Sequence, residues 1–206
     1  MKKYELTGEC KVYFGVTLRR IKSLIDFSDV KKGELGGFIE KEENLSHGGD
    51  AWVYGNARVS GNARVYGDAW VYGNARVYDD ARVYGNARVY GNARVSGNAR
   101  VYGDARVSSN ARVSGNARVY DDARVSGDAR VSGNADYVLI GRIGSRFGFT
   151  TFFRNKNNEI YVSCGCFLGT LAKFRKKVKE THGTDTKYAK VYQAAADLAE
   201  MQILNK

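Results

Sequence analysis

The stretch from Gly85 to Ser108, GNARVYGNARVSGNARVYGDARVS, repeats one six-residue unit four times. In each unit, glycine and Asn or Asp are followed by Ala, Arg, Val and then Tyr or Ser. The unit continues in both directions, because valine recurs every six residues from Val53 to Val131 and alanine from Ala51 to Ala135. A short period kept over more than eighty residues is typical of a solenoid.

Each unit is predicted to form one short strand and one corner. Successive side chains of a strand point to opposite faces, so Ala and Val face one way while Arg and Tyr or Ser face the other. Gly followed by Asn or Asp tolerates positive φ and turns the chain. An apolar spacing of two and then four residues does not fit a helix. We therefore expect an interior of Ala and Val and an outer surface of Arg, Tyr and Ser.

Positions eighteen residues apart indicate how many units close one coil. Trp52 and Trp70 are eighteen apart, and a complete eighteen-residue column contains only tyrosine (Tyr66, Tyr84, Tyr102, Tyr120). A plain six-residue repeat has no reason to sort tyrosine from serine in this way. We predict a three-sided solenoid of about five coils, stacked about 4.8 Å apart.

The pattern V-x-G-[ND]-A-x resembles the hexapeptide repeat of left-handed parallel β-helix proteins, and this resemblance implies the left-handed coil. The residues of the repeat, together with the preceding segment GELGGFIEKEENLS, also resemble those of phage and prophage hexapeptide-repeat proteins. The predicted fold class is mainly β, a three-sided parallel β-helix with an N-terminal β cap and a small C-terminal α+β module. A phage or prophage origin is the expected setting.

The chain is divided into three segments. Residues 1–49 are predicted to form the cap and an irregular first coil with Leu35, Ile39 and Leu45 inside, because an uncapped solenoid exposes unpaired strand edges. Residues 50–136 form the solenoid. Residues 137–206 are predicted to form an α+β module, a β-hairpin followed by two helices. The second helix, from about Lys187 to Leu204, has candidate inward positions at Tyr188, Val191, Tyr192, Ala195, Leu198, Ala199 and Gln202.

Composition limits the setting and the class of ligand. The sequence has no apolar run long enough to span a membrane, and its first residues lack the apolar region of a signal peptide, so none is predicted. Three cysteines do not make a disulfide framework, which indicates a reducing cytosol, that of the host cell if a phage encodes the protein. The net charge is +11, and residues 136–206 carry twelve basic and six acidic side chains. This balance favours contact with a polyanion.

Enzymatic activity is judged against what the resemblance implies. Hexapeptide-repeat acyltransferases use a histidine on or beside the coil wall, yet no histidine lies between residues 48 and 181, and the repeat has no inserted loop. The carbonic-anhydrase type needs three histidines and this chain has two, while an ice-binding surface needs threonines that residues 51–135 lack. We therefore predict that the protein is not an enzyme.

The remaining histidines and cysteines are interpreted as structural. His47 precedes the solenoid as a turn residue, and His182 lies at a helix end, where the dipole favours it. Cys164 and Cys166, with His182, supply too few ligands for a metal site. We predict no metal and no cofactor.

Twelve arginines occupy the outward position of the repeat and form three columns, in which charges about 4.8 Å apart repel by about 1 kcal/mol even in water. Two explanations stay open. Neighbouring corner aspartates and tyrosine rings compensate the charge through salt bridges and cation–π contacts, or the columns bind phosphates and bases.

The C-terminal module is the first candidate for a binding site, since its basic residues alternate with aromatic ones. The candidate nucleic-acid or phosphate-binding residues are Arg142, Arg146, Arg154, Lys156, Lys173, Lys176 and Lys177. The tyrosine column Tyr66, Tyr84, Tyr102 and Tyr120 is the candidate interface of a homo-oligomer, a trimer or a dimer.

The sequence therefore predicts a non-enzymatic binding or scaffold protein whose rigid solenoid presents a basic module to nucleic acid or nucleotide phosphates. One alternative is a protein–protein inhibitor of a host defence complex, such as an anti-CRISPR-like protein. Another is a hexapeptide-repeat transferase, which the absence of a coil histidine disfavours. An enzyme with a polar pocket around Cys164, His182 and Arg146 is the last alternative.

Overall fold

The computed structural model describes residues 1–204 and confirms the predicted fold class, a mainly β chain built on a parallel β-solenoid of about five coils. Before the solenoid come β1 (Tyr4–Tyr13), β2 (Val16–Ser23) and β3 (Leu35–Ile39). After it come β18 (Tyr137–Ile143), β19 (Gly148–Arg154), β20 (Ile160–Cys164), β21 (Phe167–Thr170), α1 (Leu171–His182) and α2 (Lys187–Leu204).

The solenoid consists of fourteen two-residue strands on three faces. Face A contains β5 (Arg58–Val59), β8 (Arg76–Val77), β11 (Arg94–Val95), β14 (Arg112–Val113) and β17 (Arg130–Val131). Face B contains β4 (Trp52–Val53), β7 (Trp70–Val71), β10 (Arg88–Val89), β13 (Arg106–Val107) and β16 (Arg124–Val125). Face C contains β6 (Arg64–Val65), β9 (Arg82–Val83), β12 (Arg100–Val101) and β15 (Arg118–Val119).

Every face pairs in parallel at the predicted interval, as in Arg58 opposite Arg76 and Val59 opposite Val77. From Ala51 to Val131, the alanines and valines of the repeat form the interior and are at most 1% exposed, whereas the last alanine, Ala135, is only partly buried. Each unit contributes only these two small apolar side chains to the centre. Burial of apolar surface on three sides at once therefore explains why neither residue varies along the repeat.

The N-terminal strands continue face A and cover the first coil, because β3 pairs in parallel with β5 while β2 pairs antiparallel with β3. Trp52 stands at an arginine position of the repeat, yet it is fully buried against Tyr4, Phe27 and Tyr54. The predicted inward position of Leu35 is wrong, since this side chain is 46% exposed. Leu35 lies at the first residue of β3, where the strand leaves the cap.

The C-terminal segment closes the other end of the solenoid. Backbone N–H groups of the last coil find side-chain acceptors there: Arg124 donates to Thr151 Oγ1 and Arg118 to Asn134 Oδ1, both at 2.9 Å. In β19, Phe153 belongs to the solenoid core whereas Phe152 packs beneath the two helices. Because successive side chains of β19 point to opposite faces, this one strand contributes to both hydrophobic cores.

This segment differs in detail from the sequence-based expectation. It contains a four-stranded antiparallel sheet, with β18 and β21 flanking the expected hairpin. The buried side of α2 consists of Ala189, Tyr192, Ala195, Ala196, Ala199 and Ile203. Four of these six buried residues are alanines, and the larger side chains of Tyr192 and Ile203 complete the buried side. The predicted inward positions of Tyr188, Leu198 and Gln202 are wrong, since all three are exposed. Within residues 1–204, no helix is both long and apolar enough to cross a membrane.

Candidate functional site

The most distinctive surface feature lies where the β1–β2 hairpin meets face A. The hairpin turns at Phe14 and Gly15, both with positive φ (49° and 81°), as a two-residue connection between twisted strands requires. The guanidinium carbon of Arg58 lies 3.7 Å from the centroid of the Tyr13 ring. On the same strand, Lys11 Nζ donates to Asn56 Oδ1 at 3.4 Å. These contacts hold the hairpin against the outer side of the solenoid.

A cleft of about 590 Å³ opens between the hairpin and the solenoid, and we call it the hairpin cleft. Its apolar wall is formed by the hairpin, with Tyr13, Phe14, Val16 and Leu18. Its other side is basic and polar and belongs to face A and the adjoining corner, with Glu40, Arg58, Ser60, Gly61, Arg76, Val77, Tyr78, Asp79 and Arg94. One side can thus hold an apolar group and the other an anion.

The arginines of this cleft are not neutralised by corner aspartates. Within residues 1–204, no salt bridge joins a repeat arginine to a corner aspartate, so that part of the expected local compensation is wrong. The corner amides and carboxylates bond along their own columns instead, as Asn62 Nδ2 does to Asp80 Oδ1 at 3.2 Å. Further up face A, burial and the neighbouring Arg112 lower the pKa of Arg130, against the attraction of the corner carboxylate Asp128. Within the described part of the chain, Arg76 and Arg94 in the cleft therefore keep their charge without a salt-bridge partner.

Two carboxylates lie at the edge of the hairpin cleft. Glu40 Oε2 accepts the Gly61 N–H at 2.6 Å, and Asp79 Oδ2 accepts the Gly97 N–H at 3.0 Å. Glu40 is half-buried beside the hairpin, whereas Asp79 is exposed. In both, a backbone amide fixes one carboxylate oxygen, and both residues line the cleft.

Neither carboxylate was predicted as a site residue from the sequence, although the pattern of the repeat marks Asp79. Between residues 49 and 133, the first corner position is glycine everywhere except at Asp79, Ser109 and Asp121. All three have positive φ, 51–60°, a region that costs energy for a residue with a Cβ. A departure from glycine at a strained corner inside a cleft points to a role for the side chain. Glu40 precedes the regular repeat, so no interrupted pattern marks it.

His47 is fixed within the N-terminal cap rather than in the hairpin cleft. Its ring stacks on Tyr4 with centroids 4.4 Å apart, and its Nδ1 accepts the Lys3 backbone N–H at 3.2 Å. Lys3 is itself 1% exposed, and its ammonium donates to the carbonyl oxygens of Gly49 and Ala51. This arrangement ties residues 3 and 4 to the first coil.

The candidate phosphate-binding residues of the C-terminal segment occupy different surroundings. Arg154 Nε bonds to the buried carboxylate of Asp136 at 3.2 Å, and its NH2 group donates to the Ile203 carbonyl. Lys156 pairs with Asp128 at 2.8 Å. The others are more open: Arg142 and Arg146 lie on β18 and the turn after it, Lys173 is exposed on α1, and Lys176 and Lys177 approach Glu180 at 3.9 Å. The structure does not gather the seven residues into one site.

The candidate interface tyrosines form a regular stack on face C. From Tyr66 through Tyr84 and Tyr102 to Tyr120, adjacent ring centroids lie 4.8, 5.0 and 5.4 Å apart, and Tyr137 closes the upper end edge-on at 6.3 Å. The rings cover one another, so mainly their edges and hydroxyl groups face outward. Their use in a homo-oligomer stays a prediction.

Cys164, Cys166 and His182 do not converge on a metal site. Cys164 Sγ accepts the Thr150 hydroxyl at 3.2 Å and lies 4.0 Å from Tyr192 Oη, while the His182 ring stacks on Tyr192 with centroids 5.7 Å apart. Burial and the neighbouring Cys164 raise the pKa of Tyr192 to about 12. Among residues 1–204, no group of three His, Cys, Asp or Glu side chains is placed to hold a metal ion.

Comparison with known proteins supports the repeat architecture. The solenoid matches the family model of the YdcK beta solenoid repeat at residues 51–67, 57–73, 69–85, 75–91, 81–97, 87–101, 93–109, 99–127 and 123–135. These matches all lie within residues 51–135, less than half of the chain. A β-solenoid repeat protein was predicted, and the match confirms that much.

The chain is also similar to a curated protein of Escherichia coli (strain K12), the "Uncharacterized acetyltransferase YdcK". The two are 35% identical over 82 residues, which cover 32% of this chain and 25% of the relative. The chain therefore matches about a quarter of that protein's length.

This similarity contradicts the prediction of a non-enzymatic binding protein, and the prediction that the protein is not an enzyme is wrong. That prediction rested on the absence of a coil histidine and of an inserted loop. A carboxylate can serve as a base as well as a histidine, and here the N-terminal hairpin, rather than a loop within the repeat, forms the wall of a cleft.

Proposed function

We propose that the protein is a hexapeptide-repeat transferase that moves an acetyl group from a thioester donor to a hydroxyl or amine acceptor in the hairpin cleft. The observation that carries this proposal is the placement of Glu40 and Asp79 beside the arginines of face A, in a cleft with one apolar wall. The similarity to a protein named as an acetyltransferase supports the choice of transferred group.

The reaction assigns Glu40 the role of general base. Its half-buried carboxylate removes the proton of the acceptor while the acceptor oxygen or nitrogen attacks the thioester carbonyl carbon. The carbon–sulfur bond then breaks, and the thiolate that leaves takes up a proton. Gly61 holds one oxygen of Glu40 in place throughout, so Oε1 is the atom that receives the acceptor proton.

Asp79 positions the acceptor. Its exposed carboxylate stands one coil above Gly61 at the same corner, and a hydroxyl or ammonium of the acceptor can bind to Oδ1. When the nucleophile is already oriented beside its base on binding, the activation free energy contains less of the entropy cost of bringing them together. A positioning residue accelerates the reaction in this way.

The arginine column binds the donor. Arg76 and Arg94 are not paired with acidic residues among the described residues, and both line the cleft. Charge-assisted hydrogen bonds from guanidinium groups to phosphate are strong and often bidentate. Phosphates of a donor such as acetyl-coenzyme A can therefore lie along face A, and the same charges stabilise the oxyanion of the tetrahedral intermediate.

The hairpin supplies the apolar side of the site. The Tyr13 ring covers the Arg58 guanidinium, and Phe14 is fully exposed at the tip. A substrate that fills the cleft covers both rings and removes water from around the reacting carbonyl, where a lower dielectric strengthens the interaction with the arginines.

The experiment incubates the full chain with acetyl-coenzyme A and separate hydroxyl and amine acceptors, and measures free thiol together with the mass of the acceptor. Thiol release that depends on an acceptor and adds one acetyl group to it supports the proposal. Glu40→Gln is expected to slow transfer roughly 100- to 10,000-fold while leaving donor binding by calorimetry unchanged. Absence of donor binding and of acceptor-dependent thiol release contradicts it.

A further inference from the structure

The tyrosine stack of face C is open at one end only. At its upper end, the ring of Tyr137 stands edge-on against Tyr120. At its lower end, the ring of Tyr66 stacks on Tyr84 above it with centroids 4.8 Å apart and planes within 3°. Within the described residues, no further ring stacks on the lower side of Tyr66.

The residue that would supply the next ring is Ser46. Leu45 forms a parallel bridge with Val65, and the Ser46 N–H donates to the Val65 carbonyl at 2.9 Å. In the next coil, Tyr66 donates in the same way to Val83 at 3.1 Å. The first coil is two residues longer than the regular ones, because Leu45 and Val65 are twenty apart while other pairs are eighteen apart. Ser46 thus occupies the tyrosine position of the column.

A cleft of about 480 Å³ lies at this place, lined by Glu43, Ser46, Arg64, Val65, Tyr66 and Arg82. Ser46 Oγ accepts the Gly48 N–H at 3.0 Å, which leaves the hydroxyl proton for a ligand. Arg64 and Arg82 are exposed, and within residues 1–204 neither takes part in a salt bridge. The cleft therefore joins the partly exposed ring of Tyr66 to two guanidinium groups without salt-bridge partners among the described residues, with the Glu43 carboxylate also at its edge.

We propose that this cleft binds a planar aromatic ring that carries an anionic group. The ring stacks under Tyr66 as the missing member of the column, at the spacing of about 5 Å that the tyrosines keep among themselves. The carboxylate or phosphate of the ligand contacts Arg64 and Arg82. The site lies on face C, outside the residues that line the hairpin cleft, and it does not depend on acetyl transfer.

The test titrates the full chain with 1-naphthyl phosphate and with 1-naphthoate, which separate phosphate from carboxylate ligands, and follows naphthyl fluorescence anisotropy. Cyclohexyl phosphate, as an unlabelled competitor, has the charge without the aromatic ring. One of the two naphthyl anions is expected to bind at least about tenfold tighter than cyclohexyl phosphate, since stacking on an aromatic side chain adds about that factor.

Ser46→Tyr completes the stack with a ring of the protein and is expected to reduce binding at least tenfold, by occupying the ligand position. Ser114→Tyr makes the same replacement on face A and should leave binding unchanged. Arg64→Gln removes the anion contact without changing the core, so it tests the site even if Ser46→Tyr fails to fold. The proposal is overturned if neither naphthyl anion binds, if cyclohexyl phosphate competes equally well, or if folded Ser46→Tyr and Arg64→Gln both bind as the unaltered chain does.

Discussion

Asp79 accepts the backbone N–H of Gly97 through Oδ2 at 3.0 Å, and it does so from a left-handed backbone with φ of 60°. Gly97 occupies the same corner position one coil higher, and it is the glycine usual at that position, which Asp79 replaces in its own coil. An aspartate that bridges two corners at a strained position beside a cleft connects the architecture of the repeat to the proposed reaction.

The replacement Asp79→Gly separates stability from function. Glycine relieves a left-handed backbone by about 1 kcal/mol, which offsets the loss of one exposed hydrogen bond. We expect the free energy of unfolding in urea to stay the same or to rise, while the KM for the acceptor rises about tenfold or more because a charge-assisted contact is lost. Ser109→Gly makes the equivalent change outside the cleft and should alter neither KM nor kcat. An unchanged acceptor KM in Asp79→Gly would remove Asp79 from the site.

Glu40→Gln tests the proposed base. Glutamine keeps the size of the side chain and can still accept the Gly61 N–H, but it does not take a proton. We expect kcat to fall roughly 100- to 10,000-fold with little change in donor affinity. Glu43→Gln alters a neighbouring exposed carboxylate outside the hairpin cleft and serves as the control. Equal activity in the two variants argues against Glu40 as the base.

Arg76→Gln tests the donor contact on face A. Removal of one guanidinium from a phosphate contact is expected to weaken acetyl-coenzyme A binding about tenfold by calorimetry. The difference in donor affinity between Arg76→Gln and the unaltered chain should become smaller at high salt, because screening weakens the guanidinium–phosphate contact that only the unaltered chain makes. Arg106→Gln, at the same position of the unit on face B, is the matched control. Equal weakening by both variants would indicate that general charge rather than the cleft holds the donor.

The sequence predicts the solenoid far better than the site, for a physical reason. Each coil contacts only its neighbours eighteen residues away, so a local period in Ala, Val and Gly carries nearly all the information about the fold. The hairpin cleft depends on contacts between distant segments, such as Tyr13 with Arg58 and Lys11 with Asn56. No spacing in the sequence marks those contacts.

Trp52 shows the same limit within the repeat. Its position predicts an outward side chain, and relative to the coil it does point outward, yet the cap buries it completely. Ser46 is the converse case, since an irregular first coil hides its place in the tyrosine column until the pairing of Leu45 with Val65 is known. A replaced glycine such as Asp79 can be recognised in the sequence, but the cleft beside it cannot be predicted from the sequence.

The buried ammonium of Lys3 makes stability depend on pH. Burial lowers its pKa from 10.5 to about 8, against the attraction of Asp50 and Asp68. Between these two values the unfolded chain binds more protons than the folded chain, so the contribution of Lys3 to the free energy of unfolding rises with pH. Below about pH 8 both states carry the proton and the penalty for burying the charge is constant.

Urea unfolding of the unaltered chain and of Lys3→Met at pH 7.5, 8.5 and 9.5 measures this effect. Subtracting the free energy of unfolding of the variant from that of the unaltered chain removes the contributions of the other titrating groups. One of these is Tyr4, whose pKa is raised by burial. From pH 7.5 to 9.5, we expect the free energy of unfolding of the unaltered chain to rise relative to that of the variant. The slope should approach about 1.4 kcal/mol per pH unit between the two pKa values of Lys3. A difference that stays flat across these three values would mean that Lys3 keeps its proton in the folded state, held by the carbonyl oxygens of Gly49 and Ala51.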